Sequence, residues 1–222
     1  WNREYGTGQG QTCWKGALND GKSRGDEPYF CPSGWKRYAV QFSEVAYDFD
    51  NVYDDWPIAY HGTTFDAHML ITLSGLKCSE NKPGRACHGT GVYLSPSIKY
   101  VAHPRYCPPV RLNLSKTKQA EWSAENLKEW RKYHKKWIQC AFACRVKPGS
   151  YTKHRETMGL GQQGTFDGVD KREIEWLVPG KPGEIIGSEK ILIYGYMIKV
   201  SDTRPPDEYD PADVNEGGCV VM

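Results

Sequence analysis

Two apolar stretches dominate the C-terminal half of the chain. Trp137–Val146 is almost unbroken and is closed by Pro148-Gly149, while residues 191–200 carry apolar side chains on both faces of an extended chain. A strand buried on both faces belongs inside a sheet, so residues 191–200 are expected to be central. Shorter strands are expected at 58–61, 92–94 and 174–178, and another at 35–42, where Tyr38, Val40 and Phe42 share a face. Gly62 follows the first of these and Gly91 precedes the second. A glycine has no Cβ, so a ligand can approach its backbone closely.

Between those two strands, Phe65, Met69, Leu70 and Leu73 recur at helical spacing. Thr64 or Asp66 is expected to cap the helix, because a side-chain oxygen there satisfies a free N–H, and Ser74-Gly75 to end it. A polar loop, 77–85, follows. Ser95-Pro96 is expected to open a second helix, with proline in the first turn where its missing N–H costs little. That helix would carry Ser97, Tyr100 and Val101 as far as His103-Pro104. Leu127 and Trp130 predict a charged surface helix over 120–134, and Val110, Leu112 and Leu114 a short strand within 108–115. Loops are expected at 150–165 and at 1–28, where Cys13 and Trp14 are the anchors. A tight turn is expected at 29–35 and a solvated acidic, aromatic loop at 43–56.

Composition narrows the class. The 222 residues suffice for one domain, or one with an appendage, and a sizeable core. Lys and Arg number 29 against 27 Asp and Glu, so a nucleic-acid partner held by bulk charge is not indicated. No apolar run is long enough for a transmembrane helix. The chain opens on Trp1, which reads as a fragment or processed product. Of the 8 cysteines, Cys140 and Cys144 share one face of a strand, roughly 13 Å apart, too far to pair, and are expected as buried thiols. Cys78 and Cys87 flank the polar loop and are candidates for a bridge, or for metal binding with His88 or His103. The usual zinc spacings are absent and no metal is expected.

The candidate chemistry lies in four elements in order: Tyr60-His61-Gly62-Thr63, Gly89-Thr90-Gly91-Val92-Tyr93-Leu94-Ser95, Ser97-Ile98-Lys99-Tyr100, and Ile174-Glu175-Trp176-Leu177-Val178. Phe166-Asp167-Gly168-Val169 precedes the last. This series, over roughly residues 57–200, resembles the NAD-binding signature of the poly(ADP-ribose) polymerase-like ADP-ribosyltransferases, the His-Tyr-Glu type. The resemblance implies an α+β fold, a split β-sandwich of two mainly antiparallel sheets with flanking helices. It also implies the activity: cleavage of the nicotinamide–ribose bond of NAD+, which is the substrate, and transfer of ADP-ribose to an acceptor.

It assigns roles as well. His61 would bond the adenosine ribose, and the Gly62 backbone and Ser97 would hold the nicotinamide carboxamide. Tyr100 and Tyr93 would sandwich the nicotinamide ring, with Thr63 and Arg85 completing the NAD-binding set. Glu175 would hold the ribose 2′-hydroxyl and stabilise the cation, with His61 and Tyr93 as the other catalytic residues. A charge inside an otherwise apolar strand is costly unless used or paired, which favours the same role for Glu175. Glu173, two residues earlier, is the candidate for acceptor selection. No site for an ADP-ribose acceptor is marked, so mono-ADP-ribosylation of a macromolecule, protein before nucleic acid, is expected.

The expected organisation is an extension over 1–55 without helical period, a catalytic domain over 56–202 and an acidic, proline-rich tail over 203–222. The tail ends Cys219-Val220-Val221-Met222, a C-a-a-X pattern that makes Cys219 a lipidation candidate, with an intracellular, cytoplasmic or membrane-associated location. Three other readings compete. One is a catalytically silent version of the fold acting as a binding module. Another is RNA 2′-phosphate transfer to NAD, for which Arg85, Arg105 and His103 form the phosphate cluster. The third is a disulfide-bearing extracellular domain.

Overall fold

A computed structural model of the chain describes residues 2–5, 19–40, 52, 55–79, 87–113, 123–161 and 164–205. In chain order the first strands are β1 (Arg3–Glu4), β2 (Asn19–Arg24), β3 (Glu27–Phe30), β4 (Lys36–Ala39), β5 (Ile58–Thr63), β6 (Leu76–Lys77), β7 (Gly91–Leu94) and β8 (Val110–Arg111). The rest are β9 (Trp137–Val146), β10 (Thr152–His154), β11 (Thr165–Phe166), β12 (Val169–Asp170), β13 (Glu175–Pro179), β14 (Ile185–Ile186) and β15 (Ile191–Ser201). The helices are α1 (Phe65–Ser74), α2 (Ile98–Val101) and α3 (Ala124–Arg131). The fold is α+β, and every strand pair among the described residues is antiparallel.

Two sheets position the site. The larger has six strands in the order β1-β4-β15-β9-β5, with β8 also on β9; the smaller is β10-β13-β7. As its two apolar faces predict, β15 is interior, flanked by β4 and β9. The period-2 alternation of β5 and β9 sorts their side chains between two cores. Ala59, Phe142, Cys144 and Val146 pack with Val92, Leu94, Trp176 and Val178 of the small sheet. Ile58, Tyr60, Ala141 and Ala143 face the opposite way, onto Tyr5, Trp35, Ile98, Val101 and Tyr194. The two sheets are stitched where β5 meets the end of β7: Tyr60 and Ser95 exchange both backbone hydrogen bonds, 2.7 and 2.9 Å.

Several expectations need correction. Residues 1–28 are not all loop, since β2 and β3 form a hairpin and β1 pairs with β4. Hydrogen bonding therefore runs from the N-terminal residues into the same sheet as β15. Of the strand expected at 35–42, Lys36–Ala39 is strand among the described residues, and 41–42 lie outside them. Pro96 lies outside α2, whose N-cap is Ser97. Residues 150–165, expected as loop, contain β10, which borders Glu175. Cys78 and Cys87 are free thiols rather than a bridge, as are Cys107, Cys140 and Cys144. Cys13, Trp14, Arg85, Cys219 and nearly all of 43–54 lie outside the described residues.

Helix α1 is capped as its sequence predicts: the Thr64 hydroxyl accepts from Ala67 N, and Gly75, at φ 87°, ends the helix by donating to Ile71 O. Its apolar residues do not form the buried face. Phe65, Met69, Leu70 and Leu73 are exposed. The sheet is met instead by Ile71 and by His68, whose ring stacks on Phe142 at 4.4 Å. No described helix is long and apolar enough to cross a membrane.

Candidate functional site

Alternation along β7 and β13 decides which side chains meet. Val92, Leu94, Trp176 and Val178 point into the sandwich, so Tyr93, Glu175 and Leu177 share the outer face of the small sheet. His154 of β10 lies directly opposite Glu175, on that same face. On β5, His61 shares the side of Ala59, which faces the small sheet. Its Nδ1 stands 2.7 Å from the carbonyl oxygen of Tyr93. His61 thus meets the backbone of Tyr93, and Tyr93 and Glu175 share one face of neighbouring strands.

The His61 contact has a chemical consequence. A carbonyl only accepts, so Nδ1 carries the hydrogen and Nε2 keeps its lone pair in the neutral ring. Burial holds this imidazole below its ordinary pKa, against the opposing pull of the Tyr93 carbonyl. Nε2 has no hydrogen-bond partner among the described residues and is an acceptor for a hydroxyl. Gly62 shows two features. A Cβ there would lie 2.9 Å from both the Val101 carbonyl oxygen and Cγ1, so the missing side chain lets α2 pack on β5. Because Tyr60 turns its N–H and C=O outward to Ser95, alternation turns those of Gly62 to the same free edge. Thr63 is buried at the end of the strand.

Glu175 is 5% exposed and heavily engaged. Its Oε1 accepts from the Tyr100 hydroxyl at 2.5 Å, the Thr157 hydroxyl at 2.6 Å and the Tyr106 hydroxyl at 3.1 Å. Its Oε2 lies 3.5 Å from His88 Nε2. One oxygen is anchored by three hydroxyls, and the other is left toward the imidazole. Burial and the adjacent carboxylate push the Tyr106 phenol up to about 12, and Tyr100 further still. Both remain O–H donors to Glu175 at any ordinary pH. Tyr93 is half-buried; its hydroxyl donates to Gly89 O at 2.8 Å and accepts from His88 N at 2.9 Å.

Three expected site residues sit differently. The Tyr100 ring is enclosed, edge-on to Phe166 at 5.9 Å, so it has no open face for a nicotinamide and instead supports Glu175. Ser97 is fully buried: its hydroxyl caps α2 at Tyr100 N and donates to Asp167 Oδ2 at 3.1 Å. Burial raises the Asp167 carboxyl, partly countered by Lys99. Glu173 is outside β13, exposed in the turn before it, with Lys153 Nζ at 3.4 Å. Its two-residue spacing from Glu175 therefore does not place it on the same strand face. Of the phosphate cluster, Arg105 is engaged with the Thr157 carbonyl.

Tyr106, Thr157, His88 and His154 escaped the sequence reading as partners of Glu175. They lie on loops or on an unexpected strand, with no periodic pattern to mark them. His88 was legible only as a candidate metal ligand. Neither a protein-family model nor a curated protein sequence matches this chain.

The histidines also predict an acid response. Burial lowers the pKa of His61, of His68, whose Nε2 is buried without a partner, and of His154. Below the ordinary value of 6.5 the unfolded chain takes up protons that the folded chain refuses, so stability is full above that pH and is lost as pH falls through it. Asp167 works oppositely, its raised carboxyl holding a proton more readily in the folded chain. We expect a melting temperature a few degrees lower at pH 5.5 than at 7.5 by circular dichroism, with a smaller drop in His68→Gln.

Proposed function

We propose that this chain is an NAD-dependent mono-ADP-ribosyltransferase built on the split β-sandwich of the poly(ADP-ribose) polymerase-like family. The observation that carries the reading is the contact of His61 Nδ1 with the Tyr93 carbonyl, beside a Tyr93 that shares its sheet face with the buried Glu175. Further support comes from the stitching of a six-stranded to a three-stranded antiparallel sheet at Tyr60 and Ser95.

In this reading His61 Nε2 accepts a ribose hydroxyl, and the outward N–H and C=O of Gly62 meet the nicotinamide carboxamide. The half-buried Tyr93 borders the ring. Glu175 Oε2 holds the 2′-hydroxyl of the reacting ribose. Breaking the C1′–N bond builds positive charge on that ribose, and a fixed carboxylate offsets it in a site where solvent screens little. The three hydroxyls on Oε1 hold the carboxylate in place as the charge develops, so no reorientation is required at that moment.

The test is nicotinamide release from NAD, with NAD binding measured by calorimetry. The wild-type chain is expected to bind NAD and release nicotinamide. His61→Ala removes one hydrogen bond to substrate and the link to Tyr93, and is expected to raise the KM for NAD about 10- to 100-fold, since one such bond contributes about 1–3 kcal/mol. No binding and no release by the wild-type chain would sink the reading.

A further inference from the structure

Resting on the reading above, we propose that Thr157 is the positioning residue of this site: it fixes the rotation of the Glu175 carboxylate, so that Oε2 rather than Oε1 is left for the reacting ribose. A carboxylate turns easily about its last side-chain bond, because that torsion has no sharp staggered wells. Its direction is therefore set by the hydrogen bonds it accepts. Thr157 acts on Glu175 by two routes. Its hydroxyl donates directly to Oε1 at 2.6 Å. Its backbone N–H donates at 3.0 Å to the Tyr100 hydroxyl, which itself donates to Oε1.

Counting hydrogens separates Thr157 from the other two hydroxyls on Oε1. A carboxylate only accepts, so the single hydrogen of the Thr157 hydroxyl goes to Oε1. Its oxygen is left to accept from the Tyr106 hydroxyl at 2.9 Å. The Tyr106 hydrogen is thus shared between Thr157 Oγ1 and Glu175 Oε1, 3.1 Å away. Tyr100 gives its hydrogen to Oε1 and accepts the Thr157 N–H in return. Thr157 therefore touches both tyrosines and the carboxylate, and each donor in such a chain polarises the next. Its carbonyl is engaged as well, accepting from Arg105 Nη1 at 2.9 Å.

The backbone delivers Thr157 to this place and holds it there. β10 ends with His154 opposite Glu175, and the residues that follow bring the chain across to the carboxylate. On either side of Thr157 the chain is tied down. Glu156 N donates to Lys171 O at 2.8 Å, and the buried Glu156 carboxylate accepts from Met158 N at 2.7 Å. Lys171 Nζ donates to Leu160 O at 2.8 Å. Met158 and Leu160 pack on the cluster of Phe30, Tyr100, Phe166, Val169 and Ile174. A donor supported in this way does not reorganise as charge develops, which is what electrostatic stabilisation of a transition state requires. Thr157 itself is half-buried and outside that cluster, so removing its hydroxyl opens no cavity in the core.

Nicotinamide release is to be measured against NAD concentration for the full chain and for Thr157→Val, Thr157→Ser and Tyr106→Phe. Calorimetry gives NAD affinity and circular dichroism checks folding. Thr157→Val keeps the branched shape and loses only the hydroxyl. It is expected to lower kcat about 10- to 100-fold, the worth of one hydrogen bond to a charged group, and to leave the KM for NAD within about threefold. Thr157→Ser keeps the hydroxyl and is expected to stay within about threefold of the wild-type kcat. Tyr106→Phe leaves the Thr157 donor in place and is expected to lose less than Thr157→Val. Thr157→Ala removes the same hydroxyl and stands in should Thr157→Val not fold. The proposal is overturned if the chain without this hydroxyl keeps more than about half of kcat, or if its KM rises as far as its kcat falls. Thr157→Ser no better than Thr157→Val would overturn it too, as would a larger loss in Tyr106→Phe, and each of these leaves NAD cleavage standing. Failure of the wild-type chain to bind NAD or release nicotinamide removes the underlying reading, and this proposal with it.

Discussion

Glu175→Gln is expected to lower nicotinamide release by about 10³-fold or more, the upper end of what one preorganised electrostatic group contributes to a transition state. The substitution is isosteric, so the effect isolates charge. In the wild-type chain Oε1 receives the Tyr100, Thr157 and Tyr106 hydroxyls while Oε2 faces His88. A glutamine can keep its carbonyl oxygen toward the three hydroxyls, which leaves a neutral amide N–H₂ where the negative oxygen stood. In the proposed reading NAD is held mainly by other contacts, so its affinity is expected to stay within about tenfold, the worth of one hydrogen bond. Nicotinamide release and calorimetry on the same preparation separate the two effects. Unchanged release would show that this carboxylate takes no part in the reaction.

Trp176→Ala is expected to destabilise the fold by about 3–5 kcal/mol, as for other buried large-to-small aromatic changes. That is a large part of the 5–15 kcal/mol typical of a domain. The ring is 1% exposed in the core between the two sheets, stacked on Tyr151 at 4.5 Å, and its Nε1 donates to the Glu173 carbonyl at 3.1 Å. It also adjoins Glu175 on the middle strand of the small sheet, so the cavity it leaves opens directly behind the candidate catalytic face. Trp176→Phe retains most of the apolar contact and should cost roughly 1–2 kcal/mol, chiefly the lost hydrogen bond and some volume. Urea midpoints for the three chains give the comparison. A small effect of Trp176→Ala would mean that the two sheets are not held together through this ring.

What the sequence determined by itself was local and periodic. Apolar residues on both faces of 191–200 demanded an interior strand, and β15 is one. Trp137–Val146 was bounded by its own apolar run and by Pro148-Gly149. Thr64 and Gly75 marked the two ends of α1, because caps answer to unsatisfied groups in the same helix. The positions of His61, Tyr93 and Glu175 beside glycine or within apolar strands were legible for the same reason: each stands out against its immediate neighbours.

Tertiary structure decided everything that depends on a partner distant in the chain. Helical spacing picked out Phe65, Met69, Leu70 and Leu73, yet the sheet lies against His68 and Ile71, because packing rather than local apolarity chose the face. Glu173 has the spacing of a strand neighbour of Glu175, but the strand begins only at Glu175. Tyr100 and Ser97 are enclosed by Phe166 and Asp167, brought up by the hairpin of β11 and β12. His88, Tyr106, His154 and Thr157 meet Glu175 from loops and from β10, across separations of 18 to 87 residues. No period or cap records such a meeting, since a hydrogen bond between remote segments leaves no trace in the neighbours of either residue.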